Sequence, residues 1–92
     1  MAKVVISLRI MPESPEINLE TLKPDILQEI ENFAGKGETR TEIVPIAFGL
    51  NAMQIIFVME EAKGSTEPLE EEITKIKGVN SVEVTDVRRA VG

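Results

Sequence analysis

Leu50-Asn51-Ala52-Met53-Gln54-Ile55-Ile56-Phe57-Val58-Met59 is the most strand-like stretch of the chain. Its apolar residues fall into two alternating sets. Met53, Ile55, Phe57 and Met59 face one way; Ala52, Ile56 and Val58 face the other, and Gln54 marks that second side as the less buried. A strand that is largely apolar on both faces belongs in the middle of a sheet. The rest of the chain must therefore supply neighbouring strands and an apolar cover.

The neighbours are legible on both sides. Glu38–Pro45 is rich in Thr, Ile and Val, carries Arg40 and Glu42, and suits an edge strand closed by Pro45. Lys3–Met11 alternates Val4, Ile6, Leu8 and Ile10 against Val5, Ser7 and Arg9, and Pro12 and Pro15 end it. The cover comes from two helical stripes. Leu19, Leu22, Ile26, Ile30 and Phe33 recur at helical spacing, with Asn18 or Thr21 as a cap and Gly35 and Gly37 as the stop. Pro24 leaves two arrangements open: a helix that starts near Thr21, or one that bends early. After the polar loop Glu60–Ser65, Ser65 or Thr66 caps a second helix with Pro68 in its first turn and Leu69, Ile73 and Ile76 as its stripe. Glu67, Glu70, Glu71 and Glu72 near its start, and Lys75 and Lys77 near its end, match the helix dipole. Gly78 is expected to end it. Val79–Val87 reads as the last strand, with Val82 and Val84 inward and Arg88, Arg89, Ala90, Val91 and Gly92 as a tail.

The order is strand, helix, strand, strand, helix, strand. Two strand–helix–strand halves make an α+β, ferredoxin-like βαββαβ sandwich: a four-stranded antiparallel sheet with two helices on one face. No linker divides residues 1–92, so a single domain is expected. This fold serves many functions and decides none.

Composition narrows the chemistry. The 92 residues include no Cys and no His, which removes disulfides, thiolate metal sites and imidazole-based catalysis. With 16 acidic and 10 basic side chains the formal charge is −6, which disfavours contact with a nucleic-acid backbone, and Phe33, Phe48 and Phe57 are the only aromatics available for stacking on bases. No apolar run is long enough for a bilayer, and the N-terminus does not resemble a signal peptide. No catalytic residue, metal site or cofactor is expected. Ser7, Ser14, Ser65 and Ser81 lack a partner base, Gly35-Lys36-Gly37 lacks phosphate-loop spacing, and the Glu60–Glu61 and Glu70–Glu72 clusters read as solvated faces. A soluble cytoplasmic domain, free of membranes and direct nucleic-acid contacts, is the expectation.

Two features stand out. Pro45-Ile46-Ala47-Phe48-Gly49-Leu50 joins two strands where a turn would ordinarily be polar. Phe48 either folds back onto the rim of the core or is presented as an apolar knob to a partner, with Gly49 aiming it. Arg88 and Arg89 are the only adjacent basic pair that ends an acidic chain, and suit a phosphate, carboxylate or cation site on a partner.

These segments also carry a resemblance. Leu8-Arg9-Ile10-Met11-Pro12-Glu13-Ser14-Pro15-Glu16, Pro45-Ile46-Ala47-Phe48-Gly49-Leu50 and Gly78-Val79-Asn80-Ser81-Val82-Glu83-Val84-Thr85-Asp86-Val87-Arg88-Arg89 are similar to the opening, central motif and ending of archaeal elongation factor 1-beta. The resemblance spans essentially the whole chain. It implies a ferredoxin-like fold and a partner, the GTPase elongation factor 1-alpha, from which GDP is released so that GTP can reload. It carries partner binding onto Phe48 and Gly49; Pro45, Ile46 and Ala47 of the same segment, with Asp86, Arg88 and Arg89 near the end, complete the expected partner-binding set, and a monomer is expected for the free protein. In eukaryotic relatives a lysine near the C-terminus is aimed at the magnesium position of the GTPase, and the phenylalanine-glycine segment lies in the same functional region. That lysine's place falls at about Gly92 and no lysine follows Lys77, so Arg88 and Arg89 are the nearby cations and are expected to work beside Phe48. A ligand-sensing or oligomerising ferredoxin-like module is the alternative, using the open face of Leu50–Met59.

Overall fold

The computed structural model describes residues 2–90. Its elements are β1 (Lys3–Pro12), α1 (Leu19–Ala34), β2 (Thr39–Pro45), β3 (Asn51–Glu60), a single 3-10 turn (Glu61–Lys63), α2 (Glu67–Thr74) and β4 (Val79–Arg89). All neighbouring strands are antiparallel, in the order β2-β3-β1-β4, which is the ferredoxin-like sandwich. The two-faced apolar stretch Leu50–Met59 falls on β3, one of the two central strands, and β2 is an edge as expected.

The register explains the core. Ile6 lies opposite Phe57, Leu8 opposite Ile55 and Ile10 opposite Met53, so the apolar sets of β1 and β3 share one face. α1 covers that face with Leu19, Leu22, Ile26 and Ile30, and α2 with Leu69 and Ile73, in one continuous cluster. A slip of one residue would turn every one of these strand side chains to the opposite side, so burial on one face locks the pairing.

α1 begins at Leu19 and continues through Pro24, so of the two arrangements for Pro24 the later start near Thr21 does not occur. Asn18 is the cap: its side chain accepts the Glu20 amide (3.0 Å), while its carbonyl accepts the Thr21 amide (3.0 Å) and hydroxyl (2.7 Å). An interior proline costs about 3 kcal/mol. Burying four large apolar side chains, at about 1.5–3 kcal/mol each, outweighs it.

Two local expectations are corrected, for Gly78 and for the end of the chain, and one open alternative, the cap of α2, is decided. Gly78 does not end α2, which stops at Thr74. Instead, at φ 103°, it ties the end of β1 to the start of β4. Its amide donates to Glu13 Oε1 and its carbonyl accepts the Glu13 amide, both at 2.9 Å. Ser65, rather than Thr66, caps the start of α2 by accepting the Glu67 amide (3.1 Å), and the Thr66 hydroxyl donates to Glu70 (2.8 Å). Finally, Arg88 and Arg89 are strand residues, not tail: they pair with Val5 and Val4 of β1, and the Ala90 amide donates to the Lys3 carbonyl (2.8 Å). β1 starts early enough to offer them partners. Val91 and Gly92, expected in the same tail, lie outside the described residues.

β4 also contains a bulge. Ser7 pairs with Asp86 but Leu8 with Val84, leaving Thr85 as the extra residue, its hydroxyl donating to the Ser7 carbonyl (3.3 Å). The bulge reverses the alternation. Val82 and Val84 pack on the core as expected. Beyond Thr85, however, Val87 and Arg89 lie on the helix side, opposite Ile6 and Val4, and Asp86 and Arg88 lie on the open face.

Two substitutions test this framework by urea unfolding. Ile26→Ala is expected to cost about 2–5 kcal/mol, because Ile26 is wholly inaccessible beneath the helix layer. Gly78→Ala is expected to cost on the order of 1–3 kcal/mol, since a Cβ would sit 3.2 Å from Leu22 Cδ2 at a positive φ. Wild-type stability for either would contradict the packing described.

Candidate partner-binding site

The link between β2 and β3 is a tight turn. The Leu50 amide donates to the Ala47 carbonyl (3.0 Å) and the Ile46 amide to the Leu50 carbonyl (2.8 Å). The two residues at the centre of that turn, Phe48 (φ 56°) and Gly49 (φ 77°), both have positive φ. This is the pattern of the hairpin turns that natural sequences usually fill with Asn-Gly or Gly-Gly, because only small or self-bonding side chains tolerate it. A phenylalanine there costs roughly 1–2 kcal/mol of backbone strain. Phe48 recovers nothing by packing, for it is 97% exposed. Phe48 therefore does not fold back onto the rim of the core but projects into solvent. Ile46 and Ile43 are exposed behind it, as are Pro45, Ala47 and Gly49, so the hairpin tip presents an apolar surface.

Arg88 and Arg89 stand elsewhere. Arg89 is opposite Val4, which is opposite Met59 near the end of β3, whereas Phe48 precedes the start of β3. The ten residues of β3, at about 3.4 Å each, separate the two sites by roughly 30 Å. The expectation that the arginines work beside Phe48 is therefore overturned: the aromatic tip and the basic pair occupy opposite ends of the sheet. The chain gives no hint of this until strand lengths and directions are combined.

The arginines also point to different faces and are already paired. On the open face, Arg88 Nε donates to Asp86 Oδ2 at 2.7 Å. On the helix side, Arg89 forms a fork with Glu61 of the 3-10 turn: Nε donates to Oε2 (3.1 Å), and Nη2 to Oε2 (2.9 Å) and Oε1 (3.1 Å). Glu61 is a functional candidate that the sequence reading places only in a polar loop. Its meeting with Arg89 depends on the bulge, whose one sequence signal is the broken spacing of Val82, Val84 and Val87.

Charge is distributed unevenly. α1 holds Glu20, Asp25, Glu29 and Glu31 against Lys23, and α2 holds four Glu and no base, so the helix layer alone carries more negative charge than the chain's net −6. At the arginine end, Lys3, Lys36, Lys63, Arg88 and Arg89 supply half of the ten basic residues, mixed with Glu38, Glu60, Glu61 and Asp86. This end is close to neutral or slightly basic while the helices are strongly acidic, so an anionic surface is met more readily end-on than helix-on. Among the described residues no group of three acidic side chains converges to hold a metal ion, and no helix is long and apolar enough to cross a membrane.

Comparison with known proteins gives the family of the chain. Residues 5–90 match the family model of the EF-1 guanine nucleotide exchange domain. The chain is 44% identical to "Elongation factor 1-beta" of Methanothermobacter thermautotrophicus and 46% identical to that of Methanobrevibacter smithii, in each case over 97% of this chain and 98% of the relative. It is 45% identical to that of Staphylothermus marinus over the same shares. A solved structure titled "BlrP1 BLUF" aligns with a TM-score of 0.56 at 15% identity, covering 100% of this chain and 57% of that one, a likeness of fold alone. The chain belongs to the family of EF-1 guanine nucleotide exchange domains.

Proposed function

We propose that the domain promotes release of GDP from elongation factor 1-alpha, so that GTP can reload, by bridging the GTPase with the two ends of its sheet. Phe48 anchors one end. The other, bearing Asp86, Arg88 and Arg89, works toward the phosphate and magnesium region. The observation that carries this reading is Phe48: an aromatic side chain 97% exposed, held at a strained backbone angle that nothing inside the domain rewards. Strain retained at an exposed tip is best explained by a partner that buries it.

The energetics set what each end must do. An exchange factor binds the nucleotide-free GTPase more tightly than the GDP-bound form, and by linkage weakens GDP by the same factor. A thousandfold effect needs about 4 kcal/mol of differential interaction. Burial of Phe48 supplies about 1.5–3 kcal/mol, enough for an anchor and too little for the whole. The remainder falls to the opposite end, where cations and carboxylates brought near a phosphate and its metal ion alter the local field. This role makes and breaks no covalent bond: the domain acts as an accessory factor of translation. Gly49, Ala47, Ile46 and Pro45 shape the tip that delivers Phe48.

Stopped-flow release of a fluorescent GDP analogue from the GTPase tests both ends. Phe48→Ala should slow domain-stimulated release by about tenfold or more while leaving the urea midpoint essentially unchanged. Release at the wild-type rate would remove Phe48 as the anchor. Arg88→Ala combined with Arg89→Ala should also slow release, by about tenfold. Unchanged exchange would leave the distal end without a role.

A further inference from the structure

We propose that Glu61 is an internal stand-in for a carboxylate of the GTPase: it holds the Arg89 guanidinium in the free domain and yields it when that carboxylate takes its place. The proposal rests on the exchange reading above and adds Glu61 to the residues that serve it. Guanidinium recognises carboxylate and phosphate through the same planar fork of N–H groups. Here that fork is complete, with three contacts of 2.9–3.1 Å to one carboxylate.

The pair is not needed to hold the fold. The Ala90 amide already fastens the end of β4 to the Lys3 carbonyl (2.8 Å), and the Glu61 amide fastens the 3-10 turn to the Ala2 carbonyl (3.0 Å). Both side chains are open to solvent, Arg89 at 70% and Glu61 at 45%, where an ion pair adds little to stability and is exchanged at little cost. Approach is also open. The pair walls a cleft of about 580 Å³, beyond the eight-residue α2, floored by Val4, Ile6 and Met59 and by Val87, which is 58% exposed. An incoming surface can bury that floor while its oxyanion displaces Glu61.

Two variants test the proposal by titration of the full chain against purified GTPase and by GDP release. Glu61→Gln removes the internal competitor, so affinity should rise about two- to fivefold at low salt. A gain with the nucleotide-free GTPase identifies a protein carboxylate as the acceptor; a gain confined to the GDP-loaded form would mean a phosphate contact that holds GDP in place, and overturns the proposal. No gain with either overturns the proposal. The exchange of both residues, Glu61→Arg with Arg89→Glu, preserves a clasp of reversed polarity but moves the cation to the turn. Stimulated release should fall about tenfold, whereas wild-type release would make the pair a structural clasp and overturn the proposal. If the unaltered domain fails to accelerate release at all, it is the exchange reading that fails.

Discussion

The antiparallel pairing of β1 with β3 is the constraint on which the rest of the molecule depends. Eight residues of each strand are in register, from Lys3 opposite Glu60 to Ile10 opposite Met53. That register brings four apolar side chains of β3 and four of β1 to one face, under two helices. Because the helices bury only their inner stripes, their outer surfaces are free to be acidic, and the sheet becomes a stiff bar with chemically different ends. One end is a strained apolar tip. The other is a cluster of mixed charge built from the starts of β1 and the 3-10 turn and the ends of β3 and β4.

Much of the fold was legible in the chain, for particular reasons. Period-two alternation in Lys3–Met11 and Leu50–Met59 and the helical recurrence of Leu19, Leu22, Ile26 and Ile30 are consequences of burial on one face, and burial on one face is what the sandwich requires. Phe48 was legible as an anomaly, since an aromatic occupies a position that favours Asn. What escaped the sequence was long-range. The extension of β4 over Arg88 and Arg89 depends on Val4 and Val5 being there to pair with them. The bulge at Thr85 and the fork between Arg89 and Glu61 join residues far apart in the chain. Gly78 looks like a helix stop by local rules, yet its positive φ serves a tie to Glu13. Pro24 leaves the start of α1 open by propensity, yet burial of the helix face carries the helix through it from Leu19.

The separation of Phe48 from the arginines changes the physical picture of exchange. Side by side, a ring and a cation would form a single wedge. At opposite ends of a sheet they would, under the two-ended contact proposed above, form a lever, with an apolar foothold at one end, a charged tip at the other and stiff hydrogen-bonded strands between them. The lever's reach is set by the length of β3. The acidic helix layer disfavours approach of a polyanion from that side, which directs contact to the ends and the open face.

A titration of isotopically labelled domain with nucleotide-free GTPase, read residue by residue from amide and methyl resonances, tests the two-ended contact most directly. The account predicts perturbation of Ile46–Gly49 at one end and of Glu61 and Asp86–Arg89 at the other, with little change on the outward faces of α1 and α2. Perturbation confined to one end of the sheet, or centred on the helices, would contradict it.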